Sequence, residues 1–182
     1  MKKIFFLISA LVLILGPLHA QEKLKTKSGT ITFEASVPSF EEVKATHQNV
    51  SAILNTSNGE FAALALVKGF RFKVALMEEH FNENYMESST YPKAVFKGII
   101  ADFDIEDLKD KPSKYTIKGS ITLHGETRDL NEPVQIWKEE DKIVVTTNFK
   151  LNPEDFNIKI PAVVSKKIAE DVDVAAKFNL QN

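Results

Sequence analysis

The tightest constraint in this chain is a two-residue period that recurs from Thr30 almost to its end. It is cleanest over Lys114 to His124. There Tyr115, Ile117, Gly119, Ile121 and Leu123 fall on one side, and Thr116, Lys118, Ser120, Thr122 and His124 on the other. Successive side chains of a strand point to opposite faces, so this pattern makes one apolar and one polar face. Ile31, Phe33, Ala35 and Val37 repeat it near the start, and Val172, Val174, Ala176, Phe178 and Leu180 repeat it at the end. Weaker runs span 50–54, 60–67, 69–76, 93–103, 130–138 and 142–151. About nine short strands with short turns make an all-β antiparallel sandwich or barrel, and closure into a barrel removes exposed strand edges. Two segments break the period. Met77, Phe81 and Tyr85 stand four apart, as on a short helix over 77–88 that Pro92 cannot continue. A second helical turn follows Pro161, over 162–169.

The first twenty residues follow a different logic. Lys2 and Lys3 precede an uncharged run from Ile4 to Leu15, then Gly16-Pro17, then Ala20. This is the layout of a secretory signal peptide, and the 12-residue run is too short to span about 30 Å of hydrocarbon. The expected division is a signal peptide over 1–20 and one domain over 21–182, not membrane-spanning, in the periplasm or secreted. Without the leader the chain carries 21 basic and 25 acidic residues. That balance excludes a global basic field for nucleic acid. Cysteine is absent, which excludes a disulfide scaffold, a thiol nucleophile and Cys-ligated zinc.

Catalytic chemistry finds no foothold. His47, His80 and His124 lack metal-ligand spacing; Glu79-His80 has no second histidine four residues on. His124 falls on the polar face of its strand and reads as a surface histidine. There is no G-x-S-x-G elbow and no glycine-rich phosphate loop. The expectation is no enzyme, no metal and no resident cofactor. What stands out is phenylalanine, eleven of them after residue 20, most on inward faces. Two interiors fit: a filled core, or a hollow barrel for an apolar ligand in which Ala35, Ala63, Ala65, Gly119 and Ala176 leave room between large neighbours.

Three stretches resemble the YceI-like family. Met77 to Ser88 followed by Tyr91-Pro92-Lys93-Ala94-Val95-Phe96 is similar to its short helix and "YP-x-x-x-F". Gly119-Ser120-Ile121-Thr122-Leu123-His124-Gly125-Glu126-Thr127 resembles "G-x-L-T-x-x-G-x-T". Asp155-Phe156-Asn157-Ile158 resembles "D-F-G-I", with Asn157 where the family has glycine, and Asp171 to Val174 resembles its closing strand. The arginine that usually precedes that segment is replaced by Asn152-Pro153-Glu154. The likeness runs over residues 24–180.

The resemblance implies an exported, elongated, lipocalin-like antiparallel β-barrel with one or two short helices. It also implies a chain-shaped apolar ligand, a polyisoprenoid lipid or quinone-like tail, carried or stored without catalysis. The alternative is a solid barrel acting through its outer surface as an envelope or stress interaction module. Alternation nominates the lining of the hollow barrel: Phe33 on the first strand, Phe70, Phe72 and Val74 in the middle, then Phe96. It continues with Ile117, Gly119, Ile121 and Leu123 on the cleanest strand, and with Phe149, Val174 and Phe178 near the end.

Overall fold

A computed structural model describes residues 23–182, so the expected leader and its cleavage after Ala20 lie outside the described residues. Nine strands follow in order: β1 (Lys23–Ser36), β2 (Lys44–Asn55), β3 (Glu60–Leu66), β4 (Arg71–Phe72), β5 (Lys93–Ile100), β6 (Ser113–Leu123), β7 (Glu126–Glu139), β8 (Lys142–Leu151) and β9 (Ile168–Leu180). All the pairings are antiparallel, in the order β1-β9-β8-β7-β6-β5-β3-β2-β4, and β1 also pairs with β2. That last pairing closes eight strands into a barrel, the all-β fold expected from the period, with β4 a short addition beside β2.

The turns explain the reversals. His124 and Gly125 both take positive φ, 50° and 79°, between β6 and β7. Two such residues make the tight hairpin turn whose twist matches its strands, and glycine is the residue that takes that φ without strain. Glu140 (φ 56°) serves the β7–β8 hairpin.

Several element boundaries differ from expectation. β1 begins well before its apolar run because Lys23, Lys25 and Lys27 alternate with buried Leu24 and Thr26, and β2 begins before its own because Ala45 and His47 are buried ahead of Val50. The expected strand over 69–76 shrinks to β4. A 3₁₀ turn over Val67–Gly69 interrupts the chain, and helix α1 (Ala75–His80) begins three residues after β4. β3 and β4 lie along the same edge of β2, as two pieces of one broken strand. α1 runs into a wider π turn, Phe81–Tyr85, closed by the Met86 amide on the Phe81 carbonyl at 2.8 Å. After Pro161, helix α2 is confined to Ala162–Ser165, and β9 starts at Ile168.

The barrel has two unlike halves. At the end holding the β2–β3, β5–β6 and β7–β8 connections the ladders are complete. Leu54, Ile100, Ile136, Val145 and Leu180 are almost wholly buried there, and Leu108 packs into the same core from the β5–β6 loop. At the other end the wall parts twice. β4 has no ladder to β5. β7 leaves β8 below Val134, so residues 126–133 pair with β6 alone, and β8 beyond Thr147 pairs with β9 alone. Pro133 stands where the ladder ends; it has no N–H to give, and its carbonyl accepts from the Thr147 hydroxyl at 2.9 Å. The 3₁₀ turn Pro153–Phe156 and the α1–π segment cover these gaps. Their buried Phe156, Ile158 and Met86 meet Val67 in a second, smaller core.

Candidate functional site

Where the wall parts, the interior is not filled. A cavity of about 460 Å³ remains, its surface overwhelmingly apolar. Its floor toward the solid half is aromatic. Phe33 lies 5.3 Å from Phe70, 5.7 Å from Phe72 and 5.2 Å from Phe81 by ring centroids, and Phe72 and Phe81 are 5.2 Å apart. Tilted and offset contacts of this kind lock rings against one another. Ile121 and Leu123 of β6, Phe149 and Leu151 of β8, and Val172 and Val174 of β9 supply further walls. Phe156, Ile158 and Ile160 close the side left open between β7 and β8. The exposed Glu41, His80 and Lys167 bring polar groups to the lining.

Seven of the twelve nominated residues therefore border one cavity: Phe33, Phe70, Phe72, Ile121, Leu123, Phe149 and Val174. The other five do not. Ile117 and Phe178 are 4% exposed within the filled core, and Phe96 packs against that core beside Phe61. They face inward, at the wrong height of the barrel. Val74 is off the wall because the strand ends at Phe72; Val74 is the residue that precedes α1. Gly119 pairs with Gly98, and a Cβ there would collide with the Lys97 carbonyl of β5 rather than enter the interior. The close approach of β5 and β6 requires glycine at that point.

The lining also draws on strand residues that were not nominated, Ile31, Ala94 and Leu151, and on residues from outside the strands. Met77, Phe81 and Tyr85, the helical stripe, all border the cavity, as do Met86, Phe156 and Ile158. The stripe was visible in the spacing; the plugging turn had no periodic signal.

The plug is fixed by polar contacts. Asn157 ends its 3₁₀ turn in the left-handed region (φ 56°, ψ 23°), a geometry asparagine tolerates. Its side-chain amide donates to Glu126 Oε1 at 2.7 Å. His124, expected at the surface, is tucked in instead: its side chain is 10% exposed, Nδ1 donates to the Phe156 carbonyl at 2.9 Å, and Tyr91 covers the ring at 4.5 Å. Positive φ at the hairpin turns the side chain away from the polar face assigned by simple alternation. His124 Nε2 lies 3.5 Å from Glu87 Oε2.

A second buried histidine supports the broken strand. His47, 4% exposed, accepts from the Asn49 amide through Nδ1 at 3.0 Å and meets Phe70 edge-on at 5.4 Å. Burial, and then the nearby Arg71 charge, lower its pKa, opposed in part by the Leu66 backbone. Both influences favour the neutral ring.

Comparison with known proteins adds three findings. The model of the YceI-like domain matches residues 23–180. Among solved structures, a polyisoprenoid-binding domain from Saccharophagus degradans implicated in plant cell wall breakdown has the same fold, with a TM-score of 0.73, 13% identity, and 87% of this chain aligned to 97% of that one. BcnA from Burkholderia cenocepacia follows at 0.68 and 14% identity (84% and 96% covered), and the YCEI protein of Campylobacter jejuni at 0.59 and 15% (80% and 90% covered). No curated protein matches the chain.

Proposed function

The chain belongs to the YceI-like domain family, and from that premise we propose that it binds one apolar, chain-shaped lipid, of polyisoprenoid or quinone type, inside the hollow half of its barrel. The observation that carries the reading is the cavity's lining: mostly Phe, Ile, Leu, Val, Met and Ala, with polar groups at Glu41, His80, Tyr85 and Lys167. A volume of about 460 Å³ lies within the roughly 300–1,000 Å³ typical of small-molecule sites. Burying a hydrocarbon tail there is favourable by about 25 cal/mol per Å² and needs no directed contact along its length. Lys167 and Glu41 oppose each other in charge, which suits an uncharged head group better than an anionic one. The polyisoprenoid-binding neighbour lends the tail its chemistry. In this reading the protein is a non-catalytic carrier or store, exported to the periplasm or beyond after loss of residues 1–20. The filled half favours the alternative of a surface module only if the hollow half proves unable to hold anything.

The test is to strip the protein of lipid and follow its melting while titrating isoprenoid alcohols and quinones of increasing tail length. Ligand that binds only the folded state stabilises it by about 2.7 kcal/mol at a hundredfold excess over Kd. For a chain of this size that is a rise of roughly 2–4 °C for each kcal/mol. The shift is expected to grow with tail length until the cavity is full, without demanding a charged head. If no compound moves the transition, and stripped and native preparations melt together, the lipid reading is lost.

A further inference from the structure

The outer side of the same barrel carries a second surface with its own chemistry. On β1, β2, β3, β5 and β6 the registers set outward-facing residues in rows. Lys25 stands opposite Ile53, Ile53 opposite Ala62, and Ala62 opposite Lys97. In the next row Ser51 faces Leu64 and Leu64 faces Val95; beyond it Leu66 faces Lys93, and on the other flank Ile99 faces Lys118. Aliphatic side chains run the length of this face between the lysines, with Ile53 38%, Leu66 52% and Ile99 52% exposed. An open depression of about 640 Å³ crosses it, lined among others by Lys25, Lys27, Ile53, Leu64, Val95 and Lys97.

Its frame is basic. Lys23, Lys25, Lys27, Lys93, Lys97 and Lys118 are all exposed, and none forms an ion pair among the described residues. Glu60 shares the face with them, and Asp129 of β7 stands at its edge beside Ser120. The described domain as a whole is acidic, so this concentration polarises the molecule. A second copy is a poor occupant, because a two-fold contact would set lysines against lysines. A protein partner is disfavoured by composition: interface cores are enriched in aromatic residues and arginine and depleted in lysine, and these rows hold neither aromatics nor arginine. Lysine heads around an aliphatic floor match the boundary of a bilayer, where phosphate meets acyl chain.

We propose that this face docks the barrel onto the surface of an anionic lipid bilayer, lysines on the phosphates and the aliphatic floor against the acyl boundary. The inference stands beside the lipid-binding reading without depending on it. Its test is flotation of the full protein with vesicles of phosphatidylcholine alone and of phosphatidylcholine mixed with phosphatidylglycerol, read at low and physiological salt. The wild type is expected to float only with the anionic vesicles and to release as salt rises. Lys25→Glu, Lys27→Glu and Lys97→Glu together are expected to lower partitioning at least about a hundredfold, from the typical contribution of a lysine near such a surface. Lys109→Glu, Lys111→Glu and Lys159→Glu, the same charge change off this face, are expected to leave partitioning within a few-fold of wild type. Melting checks that both variants fold. Equal flotation with both vesicle types, no flotation at all, or equal losses in the two triple variants would each overturn the proposal. So would retained vesicle binding in the first variant alongside loss of an acidic protein partner. Because the isoprenoid titration needs no vesicles, an empty cavity and a non-docking face are separate failures.

Discussion

At the residue scale the fold turns on a few contacts that tolerate no extra atom. A Cβ at Gly69 would collide with the buried Nε2 edge of His47, so the 3₁₀ turn between β3 and β4 can sit over His47 only because residue 69 has no side chain. Gly69→Ala is expected to destabilise the protein by about 1–3 kcal/mol through overpacking. The double variant with His47→Ala is expected to recover part of that loss, since the two sites share one volume. A denaturant-unfolding cycle of the four proteins measures the coupling, and strict additivity would mean that they do not meet. Gly119 has the same character, against the β5 backbone. Its importance was legible as a glycine inside a clear strand; the direction of its constraint was not, because alternation says which face a residue is on and nothing of how near the neighbouring strand comes. His124 shows the same limit, since a positive φ at the hairpin overrides the parity of the strand.

At the scale of elements, the strands were legible wherever burial alternates, and obscure where a buried polar residue stands in for an apolar one. β2 runs from Lys44, yet His47, Gln48 and Asn49 hide its first half in the sequence. The split between β3 and β4 was half visible: two runs were evident, and that they share one edge of β2 was not, because pairing is a property of distant residues. The turn Pro153–Phe156 carries no period at all and was announced only by its likeness to a family motif. Its role is packing. Phe156, 1% exposed, joins Met86, Ile158 and Val67 and seals the gap left between β7 and β8. Phe156→Ala is expected to cost about 3–5 kcal/mol if the site cannot collapse. Chemical denaturation gives the number, and a cost under about 1 kcal/mol would show that the turn rides on the barrel without sealing it.

On the scale of the whole molecule, one barrel holds two different interiors, and that division accounts for which nominated residues met at the cavity. Seven lie in the hollow half, while Ile117, Phe96 and Phe178 face inward in the filled half. No one-dimensional pattern carries height along a barrel, so the inward face was readable and the level was not. The division predicts opposite responses to the same added bulk. Ala94 borders the cavity, so Ala94→Phe is expected to fold with little loss and to shorten the longest tail that raises the melting temperature. Val134, 2% exposed in the filled half, has no such space, and Val134→Phe is expected to lower stability by about 1–3 kcal/mol. Melting curves of both, with and without isoprenoid, separate the two, and similar losses would mean that the interior is of one kind throughout. The parting of β7 from β8 has a kinetic consequence as well. The hollow end lacks backbone bonds across that seam, so it can open by displacing one short turn while the ring of ladders at the filled end stays whole. Local openings of this sort cost far less than global unfolding. The residence time of an occupant would then be governed by a small latch near Phe156, and its turnover would leave the lifetime of the folded chain untouched.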